Sequence, residues 1–165
     1  DPSIGLVGFK CLFPNGLIES ASIKMTEYLP CDVGRDAPGH RFSYVTPAEA
    51  VQRAFAMVRV EAAKGNLDEN TFHGFKGWDD IDNCFVLKSK GWKILYCGAS
   101  AGYHEPRATR GDNSEKAAQE NQENGRIFYK RWGFWDNFIK EHPDGNVHAA
   151  PAIISKVAFT NYGRD

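Results

Sequence analysis

Residues 77–97 read Gly77-Trp78-Asp79-Asp80-Ile81-Asp82-Asn83-Cys84-Phe85-Val86-Leu87-Lys88-Ser89-Lys90-Gly91-Trp92-Lys93-Ile94-Leu95-Tyr96-Cys97. Apolar side chains at Ile81, Cys84, Phe85 and Val86, acids in the first turn and a glycine past the last lysine spell a helix over 79–90 stopped by Gly91. Residues 92–97 then read as a strand, and 101–104 as another. A helix that delivers the chain into apolar strands makes the expected class α/β.

Upstream, residues 4–12 (IGLVGFKCL) form a nearly continuous apolar run, the pattern of a strand buried on both faces. Pro14-Asn15-Gly16 ends it, because Pro presets the first turn angle while Asn and Gly accept positive φ, so residues 17–23 should return as a hairpin arm. Residues 30–40, punctuated by Pro and Gly, read as an exposed loop. Strands are expected at 41–45 and 53–60, one helical turn at 61–64, and a loop over 66–77 that holds Asp68-Glu69.

Downstream, Asp112-x-x-Glu115 is a capping box that opens a helix. Its polar first part, 119–124, should be solvated, and Phe128, Trp132, Trp135 and Ile139 form an apolar stripe, interrupted by Gly133, that should dock. Residues 152–159 could add an edge strand.

The chain has 165 residues, 20 Lys+Arg against 21 Asp+Glu, 42% hydrophobic and 13% aromatic residues, which fits one folded domain spanning 1–165. Near-zero net charge removes the uniform basic field that non-specific nucleic-acid binding needs, and no apolar run approaches the ~18 residues of a membrane span. Cys11, Cys31, Cys84 and Cys97 contain no C-x-x-C pair and read as reduced thiols. With no Asn-x-Ser/Thr acceptor and no basic-then-apolar leader, a cytoplasmic setting is expected. The opening at Asp1 without Met suggests a chain processed or cut from something longer.

Two groups carry chemistry. Asp79, Asp80 and Asp82 crowd the first helical turn, where acids satisfy free N–H groups and complement the dipole for about 0.3 to 1 kcal/mol each. Capping needs one or two of them, which leaves room for a reactive carboxylate. His104, with Arg107 and Arg110 close behind, suits a divalent cation with a phosphate-bearing ligand, since imidazole ligates metal and guanidinium clamps phosphate oxygens. A surface His in a basic loop is the alternative.

The run 77–84, then Lys90-Gly91-Trp92-Lys93-Ile94-Leu95-Tyr96 and Tyr103-His104-Glu105-Pro106-Arg107-Ala108-Thr109-Arg110-Gly111, resembles the second half of family 2 glycosyltransferases of the GT-A fold. Upstream, Ile4 to Lys10 with Phe13-Pro14-Asn15-Gly16, the segment Ala54-Phe55-Ala56-Met57-Val58-Arg59 and Leu67-Asp68-Glu69 are similar to that family's strand and hairpin, its next strand and its Phe-Asp-Glu acceptor loop. The resemblance covers about residues 4–133. It implies a partial GT-A-like mixed sheet flanked by helices, and transfer of a sugar from a nucleotide diphosphate sugar to an acceptor hydroxyl with inversion. Asp80 would be the catalytic base, with Asp79 beside it. Trp78, Asp68 and Glu69 would bind the acceptor, Arg107 and Arg110 the donor diphosphate, and His104 the Mn²⁺ or Mg²⁺ ion. The implied partners are a nucleotide sugar and a saccharide or other hydroxyl acceptor. Membrane-associated partners are compatible with it, nucleic acid is not.

The family's nucleotide-binding half and its Asp-x-Asp metal site have no counterpart here. Asp80-Ile81-Asp82 matches that string only formally, since it lies on the acceptor-side helix. Without the missing strands, the 4–12 strand should have an open neighbour and favour a homodimer or pairing through a sheet edge. Divalent affinity should be weak or absent in the chain alone. A non-catalytic carbohydrate- or protein-binding module is the competing reading. A two-carboxylate hydrolase is disfavoured, because adjacent Asp79 and Asp80 diverge by about 100° on a helix, whereas hydrolytic pairs face each other.

Overall fold

The computed structural model describes residues 1–26, 29–67, 70–72, 77–105 and 115–145. Along the chain come β1 (Ile4–Leu12), β2 (Ile18–Ser20), β3 (Ser22–Thr26), β4 (Leu29–Val33), β5 (Val45–Pro47), a 3-10 turn (Arg53–Phe55), β6 (Ala56–Val58), α1 (Val60–Ala63), α2 (Asp79–Ser89), β7 (Lys93–Tyr103), α3 (Glu115–Arg131) and α4 (Trp135–Glu141). The fold is mixed α/β, with a five-stranded mixed sheet in the order β2-β1-β7-β5, β6 paired to β1, and a separate β3-β4 ribbon.

The apolar run of β1 becomes the sheet's central strand. β7 pairs with it in parallel from Ile4↔Lys93 to Leu12↔Tyr103. β6 and β2 pair antiparallel with the same strand, at Leu6↔Val58 to Gly8↔Ala56 and at Cys11↔Ser20 to Leu12↔Ile18. Since β7 runs along one side of β1 throughout, β6 and β2 share the other, and the open neighbour expected for residues 4–12 is filled from within the chain. Edges with exposed apolar side chains lie instead on β6, at Met57 and Val58, and on β5, at Val45. The hairpin at Pro14–Gly16 forms as expected, with Gly16 at φ 81 and Gly16 N–H donating to Phe13 O.

Three expectations shift. Residues 30–40 begin as β4, antiparallel to β3 with Met25 opposite Pro30, because a two-stranded ribbon tolerates a proline that a central strand would not. The strand expected over 41–45 starts only at Val45. Phe42, at φ 55, turns its carbonyl onto the buried Tyr96 hydroxyl, which donates to it at 2.7 Å. Residues 53–60 open with the 3-10 turn before β6.

The two strands expected over 92–104 are one, with a register jump after Phe9↔Cys97 to Lys10↔Ala101 that leaves residues 98–100 as a bulge. Gly98 is required there. Its N–H donates to Tyr44 O at 2.9 Å, and a Cβ would strike the Phe42 carbonyl.

α2 ends at Ser89, one residue before the Lys90 end read from the sequence, with Gly91 at φ 87 as the expected stop. The aromatic stripe is split by Gly133 at φ 74 into α3 and α4. Phe128, Tyr129 and Phe138, all fully buried, close the core over Cys84, Leu87, Ile94 and Tyr96. The four cysteines are unbridged, with Cys11 and Cys84 buried. Among the described residues no helix is long and apolar enough to cross a membrane. Asp112, with the proposed capping box, and the edge strand expected over 152–159 lie outside the described residues.

Candidate functional site

The chain enters α2 through Trp78, whose backbone sits at φ 93, a conformation costly for a residue with a Cβ. No side chain caps the helix at that position. The Trp78 ring packs on Phe128 and Tyr129 at centroid distances of 5.4 and 5.1 Å, and its indole N–H donates to Asn121 O at 3.1 Å. Trp78 therefore locks the start of α2 onto α3. An acceptor sugar could meet only the remaining accessible part of the ring.

The three aspartates divide between two directions. Asp82 is 1% exposed, accepts a guanidinium N–H from Arg131 at 3.0 Å and the indole N–H of Trp132 at 2.7 Å, and so is a buried anchor between α2 and α3 rather than a surface cap. Asp79 and Asp80 stand on the solvent-reached side. Oδ2 of Asp80 accepts the Arg53 backbone N–H at 3.2 Å, and Asp79 lies 4.0 Å from the Arg53 guanidinium. That second pair is about half exposed and contributes little to stability. Both carboxylates thus line a rim with the 3-10 turn opposite.

The rim continues across the carboxyl ends of β1 and β7, the place where α/β sheets gather their ligands. Gln52, next to Arg53, donates to Asp32 at 3.3 Å, and Arg35 pairs with the same carboxylate at 3.1 Å. Burial raises the Asp32 pKa by more than the Ser20 hydrogen bond and the Arg35 charge lower it. Beneath these groups lies Cys11, whose thiol is pushed up to about 12 by burial and then by the charges of Glu19, Asp32 and Asp80. At the far end His104, held by its N–H to Leu12 O at 2.8 Å, places Nδ1 2.7 Å from Oε2 of the buried Glu19.

Glu19, Asp32, Arg35, Gln52 and Arg53 were not singled out from the sequence. Glu19 left one signal, a charge between Ile18 and Ser20 in a strand whose every residue is buried. The others depend on the β3-β4 ribbon and the 3-10 turn. Asp68, Glu69, Arg107 and Arg110 lie outside the described residues.

Among the described residues no three His, Cys, Asp or Glu side chains group as a metal cage. His104 offers one imidazole nitrogen, so a divalent ion there would depend on oxygens that the described residues do not supply. A cavity of about 450 Å³ lies elsewhere, lined by Asn66, Asn70, Lys90 and Arg131. Lys90 and Arg131 stand at the C-terminal ends of α2 and α3, whose dipoles disfavour anions, so the two cations there complement the helices.

No family model, curated protein or solved structure matches the chain.

Proposed function

We propose that this chain is the acceptor-side part of a glycosyltransferase that uses a nucleotide diphosphate sugar, resembling family 2 enzymes of the GT-A fold, with Asp80 as the base. The observation that carries the reading is the Asp80 carboxylate on the rim, oriented by the Arg53 N–H and reached by solvent. A neutral hydroxyl is a poor nucleophile, and a carboxylate at hydrogen-bond distance takes its proton as the bond to the anomeric carbon forms. Asp79, one residue earlier and turned by about 100°, holds a neighbouring acceptor hydroxyl. Arg107 and Arg110 meet the negative charge that grows on the departing diphosphate. Asp68 and Glu69 complete the acceptor side, and Trp78 fixes the frame from which both helix carboxylates project. A divalent ion, when bound, neutralises diphosphate charge, and His104 is the described residue that would hold it.

The nucleotide-binding half is to be supplied by other sequence, and the β6 edge or the β5 edge beside Tyr44 and Val45 offers pairing for it or for a second copy, in a cytoplasmic setting. The test is transfer from a uridine diphosphate sugar in the presence of Mn²⁺, with hydroxyl acceptors, by a protein joining this chain to a nucleotide-binding half. Transfer by the joined protein, with weak or no donor binding by the chain alone, supports the reading. Micromolar donor binding by the chain alone refutes the division of labour.

The non-catalytic module is favoured by one observation, that Asp80 already has a backbone partner in Arg53. Under that reading the rim binds a saccharide, and the joined protein transfers nothing.

A further inference from the structure

Phe55 closes the 3-10 turn that stands opposite Asp79 and Asp80, and its side chain remains 37% exposed. The ring lies across the two central strands near their carboxyl ends. Its centroid is 4.9 Å from that of Phe9 on β1, with the planes tilted by 44°, and a Cβ on Gly102 of β7 would stand 3.0 Å from its Cδ1. Gly102 does not adopt positive φ, so the ring uses this glycine for its missing side chain and not for its backbone freedom. Phe9 and Gly102 thus support the ring from the sheet, and the remainder reaches solvent.

Two contacts set the ring beside the carboxylates. Arg53, two residues earlier, gives its backbone N–H to Oδ2 of Asp80 at 3.2 Å, and the Phe55 backbone N–H meets the Cys11 sulfur, on which the Asp80 charge also acts. The rim therefore combines an apolar floor with groups that, when ionised, only accept hydrogen bonds.

That combination selects a ligand. The negative face of a phenyl ring favours polarised C–H groups, and the two carboxylates favour hydroxyl donors while repelling phosphate. A planar base would stack too, but its coplanar donors reach one carboxylate, whereas Asp79 and Asp80 diverge by about 100°. A pyranose presents C–H groups on one face and hydroxyls around its edge. Trp78, the aromatic expected from the sequence to meet a sugar, is engaged with Phe128 and Tyr129.

We propose that the Phe55 ring is the platform on which the acceptor stacks, so that the acceptor is a pyranose and not an open-chain, lipid or side-chain alcohol. The inference rests on the reading of the Asp79–Asp80 rim as the acceptor side. Phe55 fixes the plane of the sugar, and the carboxylates then meet hydroxyls at a defined height above it.

The experiment titrates the chain with the methyl β-pyranosides of glucose, galactose and mannose, with sorbitol as the open-chain control and guanosine as the planar one. The readouts are amide shifts and NOEs from the Phe55 ring protons. At least one pyranoside should bind with NOEs from Phe55 to the C–H protons of a single sugar face, and sorbitol should bind about tenfold more weakly. Phe55→Leu keeps apolar bulk without the ring face and should weaken that pyranoside about three- to tenfold while leaving sorbitol unchanged, and Phe55→Tyr should restore it. Should Phe55→Leu fail to fold, the wild-type NOEs decide.

The proposal is overturned if no pyranoside binds, if the bound sugar gives no NOE to Phe55, if a folded Phe55→Leu binds it as wild type does, or if sorbitol or guanosine binds as tightly. Because no transfer is measured, failure here leaves Asp80 as the base untouched. A joined protein that transfers nothing while Phe55 still holds the pyranoside removes the base assignment alone.

Discussion

The Arg53 backbone N–H donates to Oδ2 of Asp80 at 3.2 Å, joining a 3-10 turn to the first turn of a helix 27 residues later. The contact aims the carboxylate along the rim. A side chain hydrogen-bonded from outside its own helix has a defined direction, which a solvated surface aspartate lacks. The rest of the site is arranged around that direction, with Asp79 beside it, Asp32 and Gln52 along the turn, and Glu19 with His104 at the far end.

Asp82 should behave as structure and not as chemistry. Asp82→Ala removes the shared acceptor of Arg131 and Trp132 and should cost about 3 kcal/mol, read as a lower denaturant midpoint. Trp132 fluorescence should shift to the red before global unfolding. Unchanged stability would mean that α3 does not depend on this anchor.

Trp78 offers a test of strain against packing. Trp78→Ala should cost about 3 kcal/mol through lost contacts with Phe128 and Tyr129. Trp78→Gly should be the more stable of the two by about 1 kcal/mol, because φ 93 suits glycine and strains alanine. Thermal melts of the pair decide it.

Asp32 gives a pH dependence with a definite sign. Burial holds its carboxyl above the ordinary 3.8, so the fold favours the protonated form and ionisation at neutral pH costs stability. That cost disappears as pH falls through the raised value and is gone below 3.8. Asp32→Asn should therefore melt higher than wild type at neutral pH, and the gap should close on acidification. A gap that widens toward acid would contradict the assignment.

The thiols should separate by burial. Cys11 and Cys84 are pushed up to about 12 and about 11 by burial, whereas Cys31 and Cys97 are partly exposed. Iodoacetamide should modify Cys97 first, then Cys31, and reach Cys11 and Cys84 only on unfolding. Peptide mapping of the native protein reads the order directly.

What the sequence made legible was local. Asp79 through Gly91 announced a helix because its start, period and stop agree, and Pro14-Asn15-Gly16 announced a turn by its own backbone preferences. The strand expected over 41–45 failed because Phe42 obeys a distant hydroxyl, that of Tyr96, and not its neighbours. Asp82 looked like a cap because Arg131 and Trp132, its partners, lie about fifty residues on. β1 was expected to stand open for want of the family's first-half strands, and β6, which covers part of it, is hidden in a stretch that reads as one long strand. Glu19 and Asp32 were missed for the same reason, since a short buried strand and a ribbon broken by Pro30 carry little periodicity.

The most direct measurement is transfer by Asp80→Asn in a protein that joins this chain to a nucleotide-binding half, alongside its denaturant midpoint. Loss of the base should slow transfer roughly a hundred- to ten-thousand-fold, with stability within about 0.5 kcal/mol of wild type. Transfer within a few-fold of wild type would show that another group takes the acceptor proton. A stability loss of about 1 kcal/mol without that slowing would return Asp80 to the role of a helix cap.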